Sequence, residues 1–97
     1  YSASKWGVTG ITQSFAAEWG EGGVRVNAIA PGFFLTDLNR EKMPEERKAE
    51  ARKRNAMNRM GELPELVGAA VYLASDAARF VSGATIRVDG GYLSSGI

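Results

Sequence analysis

Residues 24–32 read Val24-Arg25-Val26-Asn27-Ala28-Ile29-Ala30-Pro31-Gly32. Val24, Val26, Ala28 and Ala30 alternate with Arg25, Asn27 and Ile29, which predicts a buried strand over residues 24–30. Pro31-Gly32 ends it, since proline has no N–H to give a ladder and glycine suits a turn. A second strand is predicted at Ala84–Asp89, opened by the turn Ser82-Gly83 and closed by Gly90-Gly91. Helical segments lie between the two. Strand, helical crossover and strand make a βαβ unit of a parallel sheet. Two strands are too few to stand alone, and a parallel sheet needs helices on both faces. The sequence supplies half of that sandwich.

Upstream, residues 1–19 have a helical pattern. Val8, Ile11, Phe15 and Trp19 form a large apolar stripe. Ala3, Gly7, Gly10, Ser14 and Ala17 form a small-residue stripe about 120° away. Each glycine costs about 1 kcal/mol of helix propensity, which makes sense where another helix approaches closely. Gly20-Glu21-Gly22-Gly23 stops the helix. Downstream, Phe33–Leu38 is predicted as a loop. Residues 40–54 carry seven bases and four acids at helical spacing, a solvated helix with Pro44 near its first turn. Residues 64–74 predict an amphipathic helix, with Pro64 at its first position and Glu65 in its first turn. The expected order is α-β-α-α-β, an α/β fold.

The composition narrows the chemistry. The chain has 97 residues, 44% of them hydrophobic, and a formal net charge of +1 from 12 Lys+Arg and 11 Asp+Glu. With no Cys and no His, this chain holds no thiolate nucleophile, no Cys/His zinc site and no Ser-His-Asp triad; no metal site is expected. There is no apolar run of the ~20 residues that a bilayer span needs, so no membrane partner is expected and a cytoplasmic setting is the default. The near-zero net charge argues against nucleic acid as a partner. The 40–54 run nets only +3 (seven bases less four acids) and has no aromatic interleaving.

Proton transfer near neutral pH is left to a carboxylate, Lys or Tyr. Tyr1 and Lys5 lie four apart on the first helix and share a face. A tyrosine with an ordinary pKa near 10 is a poor base. A neighbouring cation favours the phenolate. Bringing the phenol to about 7 takes about 4 kcal/mol of differential interaction, more than one partly exposed lysine supplies. A second positive centre, such as an oxidised nicotinamide ring, would add to it.

Tyr1-Ser2-Ala3-Ser4-Lys5 resembles the YxxxK motif of the short-chain dehydrogenase/reductase family. Arg25–Gly32 resembles its RVNxxxPG segment, with Thr36 at the threonine of PGxxxT. Gly68–Ser75 resembles its late helix, and Ser82–Gly91 its SGxxxxVDGG close. The resemblance runs along all 97 residues in one order. It implies the C-terminal part of a doubly wound, Rossmann-type parallel sheet, contributing its last two strands. Residues 1–97 are then the C-terminal part of a single dinucleotide-binding catalytic domain whose N-terminal half is absent.

By that resemblance, Tyr1 is the general acid/base, and Lys5 lowers its pKa and hydrogen-bonds the nicotinamide ribose. Pro31, Gly32 and the backbone at Phe34 line the nicotinamide of NAD or NADP, with the preference left open. Thr36 bonds its carboxamide or phosphates. Glycine at 32 fits, because a residue without Cβ lets backbone approach a ring closely. Asn27, mid-strand, reads as a structural hydrogen-bonding residue. Phe33–Arg40 opens the substrate loop and resembles that of the family's sugar-acid members, the gluconate 5-dehydrogenases and 2-deoxygluconate 3-dehydrogenases. Phe33 and Arg40 are its candidate residues, the guanidinium being suited to a carboxylate. The other reading of this charged stretch is a solvated face.

The resemblance also implies a small-molecule alcohol or ketone substrate. It implies self-association as a homodimer or homotetramer, with Ala3, Gly7, Gly10 and Ser14 as a contact. Four family features have no counterpart: the glycine-rich phosphate loop, the residue that chooses between NAD and NADP, the serine before YxxxK, and the asparagine on the helix before it. The 97 residues alone are therefore expected to be inactive. A 3-oxoacyl-carrier-protein reductase and a non-catalytic dimerisation module are the alternatives.

Overall fold

The computed structural model describes residues 2–92, with side chains over 6–92. Helix α1 spans Ser2–Trp19 and runs into a 3-10 turn at Gly20–Gly22. Gly23 follows at φ +83 and donates its N–H to the Gly20 carbonyl at 3.0 Å, so the glycine run stops the helix as expected. Strand β1 (Ala28–Pro31), strand β2 (Phe34–Leu35), helix α2 (Asp37–Lys42) and helix α3 (Glu45–Lys53) come next. Strand β3 (Gly61–Glu62), helix α4 (Leu63–Ala74), a 3-10 turn (Asp76–Ala78) and strand β4 (Thr85–Val88) complete the order.

Strand β1 pairs with β4. Ala28 N–H donates to Ala84 O at 2.9 Å and Gly32 N–H to Val88 O at 2.9 Å. The partner numbers rise together, which is parallel register. This is the α/β fold with parallel strands that the sequence predicts. A second two-stranded sheet, β2 with β3, is also parallel and pairs Phe34 with Gly61 and Leu35 with Glu62.

Three elements differ from expectation. The first strand starts at Ala28, not Val24, and takes in Pro31. Residues 25–27 bond through other groups: Val26 N–H donates to Ser82 Oγ at 3.2 Å, and Val26 O accepts from Gly83 N–H at 2.7 Å. The predicted loop at 33–38 contains β2 and the start of α2. Thr36 Oγ1 accepts from Asn39 N–H at 3.1 Å, and Asn39 Oδ1 accepts from Thr36 N–H at 2.7 Å. That reciprocal cap begins a helix within the predicted loop. The single charged helix over 40–54 is two helices. Met43, before Pro44, is extended (φ −77, ψ 126) because proline disfavours α conformation in the residue preceding it.

The chain divides into two units. One takes in residues up to Ile29 with Ala69–Ile86; the other takes in Ala30–Gly68 with the residues from Arg87 on. In the first, Arg25 Nη1 donates to Leu73 O at 2.8 Å and to Ala78 O at 2.9 Å. Asn27 Nδ2 donates to Val81 O at 2.9 Å, and Asn27 Oδ1 accepts from Ala84 N–H at 3.0 Å, the structural role expected of it. These two side chains satisfy four backbone groups that no ladder reaches.

Among the described residues the buried apolar side chains are Ala51, Met60 and Ala78. Both stripes of α1 are open: Val8, Ile11, Phe15 and Trp19 are exposed, as are Gly7, Gly10, Ser14 and Ala17, and Trp6 beside them is 76% exposed. Phe15 and Trp19 stack on each other, ring centroids 4.5 Å apart. The packed line of α1 is a third one, with Thr12 (5% exposed) donating to Val8 O at 2.8 Å. On α4, Val67, Val71 and Tyr72 are exposed, as is Phe80 beyond it.

Asn27→Ala leaves the Val81 carbonyl and the Ala84 N–H without their partner. It is expected to lower unfolding stability by about 2 kcal/mol with an unchanged denaturant slope. A loss below about 0.5 kcal/mol in urea unfolding would show that water replaces both bonds.

Candidate functional site

The expected cofactor and substrate residues from 31 to 40 all fall in the second unit. Tyr1 lies outside the described residues. Lys5 lies within α1, and its side chain is outside them as well.

Pro31 ends β1 with its ring exposed. Gly32 is held by its bond to Val88 O, and a Cβ on it would sit 2.8 Å from Asp89 Cα and 2.9 Å from Asp89 Cβ. The structure therefore gives glycine at 32 a reason of its own. The Asp89 backbone already occupies the space that a side chain would need.

Asp89 leads into Gly90 (φ +61) and Gly91 (φ +84), both left-handed, where residues with a Cβ are strained. Asp89 Oδ1 accepts from Gly91 N–H at 2.9 Å. A Cβ on Gly91 would lie 2.8 Å from Ala56 Cβ, and one on Gly90 would lie 3.0 Å from Asn55 Oδ1. Asn55 is buried and donates to Arg59 O at 2.8 Å, while Met57 N–H donates to Gly90 O at 3.0 Å. The 55–61 segment is thus closed against the 89–91 turn.

Phe33 stands edge-on to Tyr92, ring centroids 6.0 Å apart. Its carbonyl accepts from Gly61 N–H at 2.9 Å. The Phe34 ring covers Gly61 closely; a Cβ there would be 2.5 Å from its Cε2. Phe34 O accepts from Asn39 Nδ2 at 2.9 Å. Thr36 caps α2 as an acceptor, which leaves its hydroxyl proton available to a ligand oxygen. That donor and the exposed Pro31 ring fit a nicotinamide carboxamide and ring face. The glycine at 32 is explained by Asp89 with no ligand invoked.

Arg40 Nη2 meets Glu62 Oε2 at 2.8 Å, both side chains about half exposed. The guanidinium proposed for a substrate carboxylate therefore already has a carboxylate partner on β3. Two further pairs in 40–54 are local, Arg52 with Glu45 at 2.7 Å and Arg54 with Glu50 at 3.0 Å, as on a solvated face.

A cavity of about 320 Å³ opens in the same unit between Phe33, Phe34, Met57, Arg59, Arg87 and Asp89. Arg59 makes a two-pronged contact with Glu65, Nη1 to Oε1 at 2.8 Å and Nη2 to Oε2 at 2.7 Å. Glu65 Oε1 also accepts from Glu62 N–H at 2.8 Å, closing the first turn of α4. Sequence reading took Glu65 as a first-turn acid and missed this clamp, and it missed Asn55, Gly61 and Asp89. Among the described residues no cluster of acids suits a metal ion, and no helix is long and apolar enough to cross a membrane.

A family model described as Enoyl-(Acyl carrier protein) reductase matches residues 1–93. The 2-dehydro-3-deoxy-D-gluconate 5-dehydrogenase of Bacillus subtilis is 44% identical over 95 residues, covering 97% of this chain and 37% of the relative. A protein from Agrobacterium tumefaciens solved with bound NADP superposes with a TM-score of 0.84 at 41% identity, covering 97% of this chain and 39% of that one. A 4-hydroxyisoleucine dehydrogenase complexed with NADH gives 0.84 at 33% identity, covering 97% of this chain and 39% of that one. The chain spans a little over a third of the length of these relatives.

The Arg59 hydrogen bonds, then the Glu62 N–H, hold the Glu65 carboxyl at about 2, well below its ordinary 4.5. A carboxyl depressed in the folded state stabilises it fully above the unfolded value and loses that contribution as pH falls toward the folded one. Stability is expected to fall between about pH 4.5 and 2. Glu65→Gln should flatten that slope. Parallel stability–pH curves for the two proteins would remove Glu65 from the acid response.

Proposed function

The chain belongs to the short-chain dehydrogenase/reductase family, and on that premise we propose that it is the C-terminal, catalytic part of an NAD(P)-dependent oxidoreductase acting on a secondary alcohol or ketone. One observation carries the reading: the family match over residues 1–93 begins on Tyr1-Ser2-Ala3-Ser4-Lys5. Relatives solved with NADP and with NADH support either cofactor.

Tyr1 takes the hydroxyl proton of the alcohol at its phenolic oxygen, or returns it to the ketone. The Lys5 ammonium favours the phenolate that this requires. The Thr36 hydroxyl would donate to the cofactor, and Pro31, Gly32 and the Phe34 backbone would line its nicotinamide. When bound, the nicotinamide accepts or supplies the hydride that balances the proton.

A sugar acid is the proposed substrate, supported by the gluconate-type name of the Bacillus relative. Arg40 then exchanges Glu62 for the substrate carboxylate, an exchange made cheap because a half-exposed ion pair is worth at most about 1 kcal/mol. The description of the family model favours an acyl-carrier-protein substrate as a second reading. In that reading the exposed bases Lys42, Arg47 and Lys53 meet an acidic carrier.

The uncovered stripes of α1 support two further parts of the proposal. The large stripe packs on the rest of a longer domain, and the small stripe, with open space beside Gly7 and Gly10, meets a second copy. The setting proposed is cytoplasmic.

In the full protein, Tyr1→Phe is expected to cut kcat by about 10²–10⁴-fold while NAD(P)H binding persists. Full activity in that variant, followed by nicotinamide absorbance over a panel of sugar acids, polyols and a 3-oxoacyl carrier protein, would refute the assignment. The substrate turned over in the panel decides between the two readings. The 97 residues alone are expected to turn over none of them, and cofactor-dependent oxidation by the isolated chain would overturn the partial-domain reading.

A further inference from the structure

Gly61 touches none of the residues assigned to the cofactor or substrate except through the Phe33-Phe34 strand. It is paired with Phe34 in the β2–β3 ladder and donates its N–H to Phe33 O at 2.9 Å. A Cβ on Gly61 would stand 2.5 Å from Phe34 Cε2, 2.7 Å from Cδ2 and 3.1 Å from Cζ. Those distances are far inside van der Waals contact, where carbon atoms prefer about 3.5–4.0 Å. The ring and the ladder bonds are thus compatible only while position 61 has no side chain. A methyl there must push the ring off the strand or open the ladder.

The far end of β2 is fixed as well. Phe34 O accepts from Asn39 Nδ2, and Asn39 shares the reciprocal cap with Thr36. A displacement of Phe34 is therefore passed directly to Thr36. On the other side, Gly32 has Asp89 against it and cannot yield.

We propose that Gly61 is a positioning residue for the cofactor-facing backbone from Gly32 to Thr36, acting through the Phe34 ring. The inference rests on the oxidoreductase reading above. It adds a residue outside the 31–36 segment, on a strand that meets no ligand in that reading.

The test is a double-mutant cycle in the full protein, comparing wild type, Gly61→Ala, Phe34→Ala and the double variant. NADPH and NADH binding is followed by fluorescence, and amide exchange is measured without cofactor. Gly61→Ala should weaken cofactor binding by about tenfold, in the range for one methyl forced into filled space. It should raise the cofactor KM more than it lowers kcat. It should also speed amide exchange over 33–36 and 61–62 in the cofactor-free protein. In the Phe34→Ala background the same substitution should cost less than about twofold, because the atoms it strikes are gone.

An equal cost in both backgrounds, or binding by Gly61→Ala within about twofold of wild type, overturns the proposal. If Gly61→Ala does not fold, recovery of folding and binding in the double variant is the expected result, and failure of both overturns it. A wild-type protein that binds neither NADPH nor NADH removes the oxidoreductase reading itself. Wild-type binding with an indifferent Gly61→Ala removes only this inference.

Discussion

The close approach of Gly32 to Asp89 sets the arrangement of the second unit. A Cβ at 32 would fall 2.8 Å from the Asp89 Cα, so two backbone segments meet with no side chain between them. Everything nearby adapts to that contact. Gly32 N–H is spent on Val88 O, which aligns the end of β1 with β4. Beyond Asp89 the chain must turn sharply, and Gly90 and Gly91 do so at positive φ. Their bare Cα atoms admit Asn55 and Ala56, and Met57 N–H closes on Gly90 O. The segment that leaves this contact reaches Gly61 and pairs with Phe34, returning to the strand that Gly32 begins. The chain closes a loop of close contacts in which Gly32 meets backbone, and Gly61, Gly90 and Gly91 meet the side chains of Phe34, Asn55 and Ala56.

This closed set gives the motifs a physical meaning that their spacing does not. Pro31-Gly32 and Val88-Asp89-Gly90-Gly91 lie 56 or more residues apart in sequence, yet they are two sides of one contact. Gly32 brings backbone against the Asp89 backbone, while Gly90 and Gly91 make room for Asn55 and Ala56. Along 31–40 the groups left facing outward include the exposed Pro31 ring and the Arg40 guanidinium with its Glu62 partner. The unit thus divides into residues that build the platform and residues that stand on it. Motif glycines belong to the first kind.

The periodic elements were legible in the sequence because their signals are local. The helix at Ser2–Trp19, the helix ending at Ala74 and the strand at Thr85–Val88 lie within a residue or two of expectation. The family was legible too, through motifs in a fixed order. Less legible were the places where side chains bond distant backbone. Asn27 has the hydrogen-bonding role expected of it, but nothing local shows that Arg25 and Asn27 reach carbonyls some fifty residues away, or that the ladder starts only after them. Thr36 and Asn39 cap each other three residues apart, a pattern the aromatic run before them obscured. Gly61 and Asn55 gave no signal, since what makes them matter is the Phe34 ring and the Gly90 backbone, both remote in sequence.

The apolar faces supply the last constraint. Trp6, Val71 and Phe80 are 76%, 61% and 101% exposed, so the first unit carries large side chains that its own residues leave uncovered. Each buried leucine-sized side chain is worth about 1.5–3 kcal/mol, so leaving several in water forgoes a contribution comparable to a small domain's whole stability. A parallel sheet likewise needs more strands and helices on both faces than two short ladders provide. The second unit also exposes large apolar side chains, Leu38, Met57 and Val67 among them, but it carries several closed polar contacts of its own. Its ring of glycine contacts, the Arg59–Glu65 clamp and the Thr36–Asn39 cap are all satisfied from within. The segment from Pro31 to Arg40 therefore has its local geometry set by contacts within its own unit, while the helix that carries the YxxxK motif presents apolar side chains that the described residues leave uncovered.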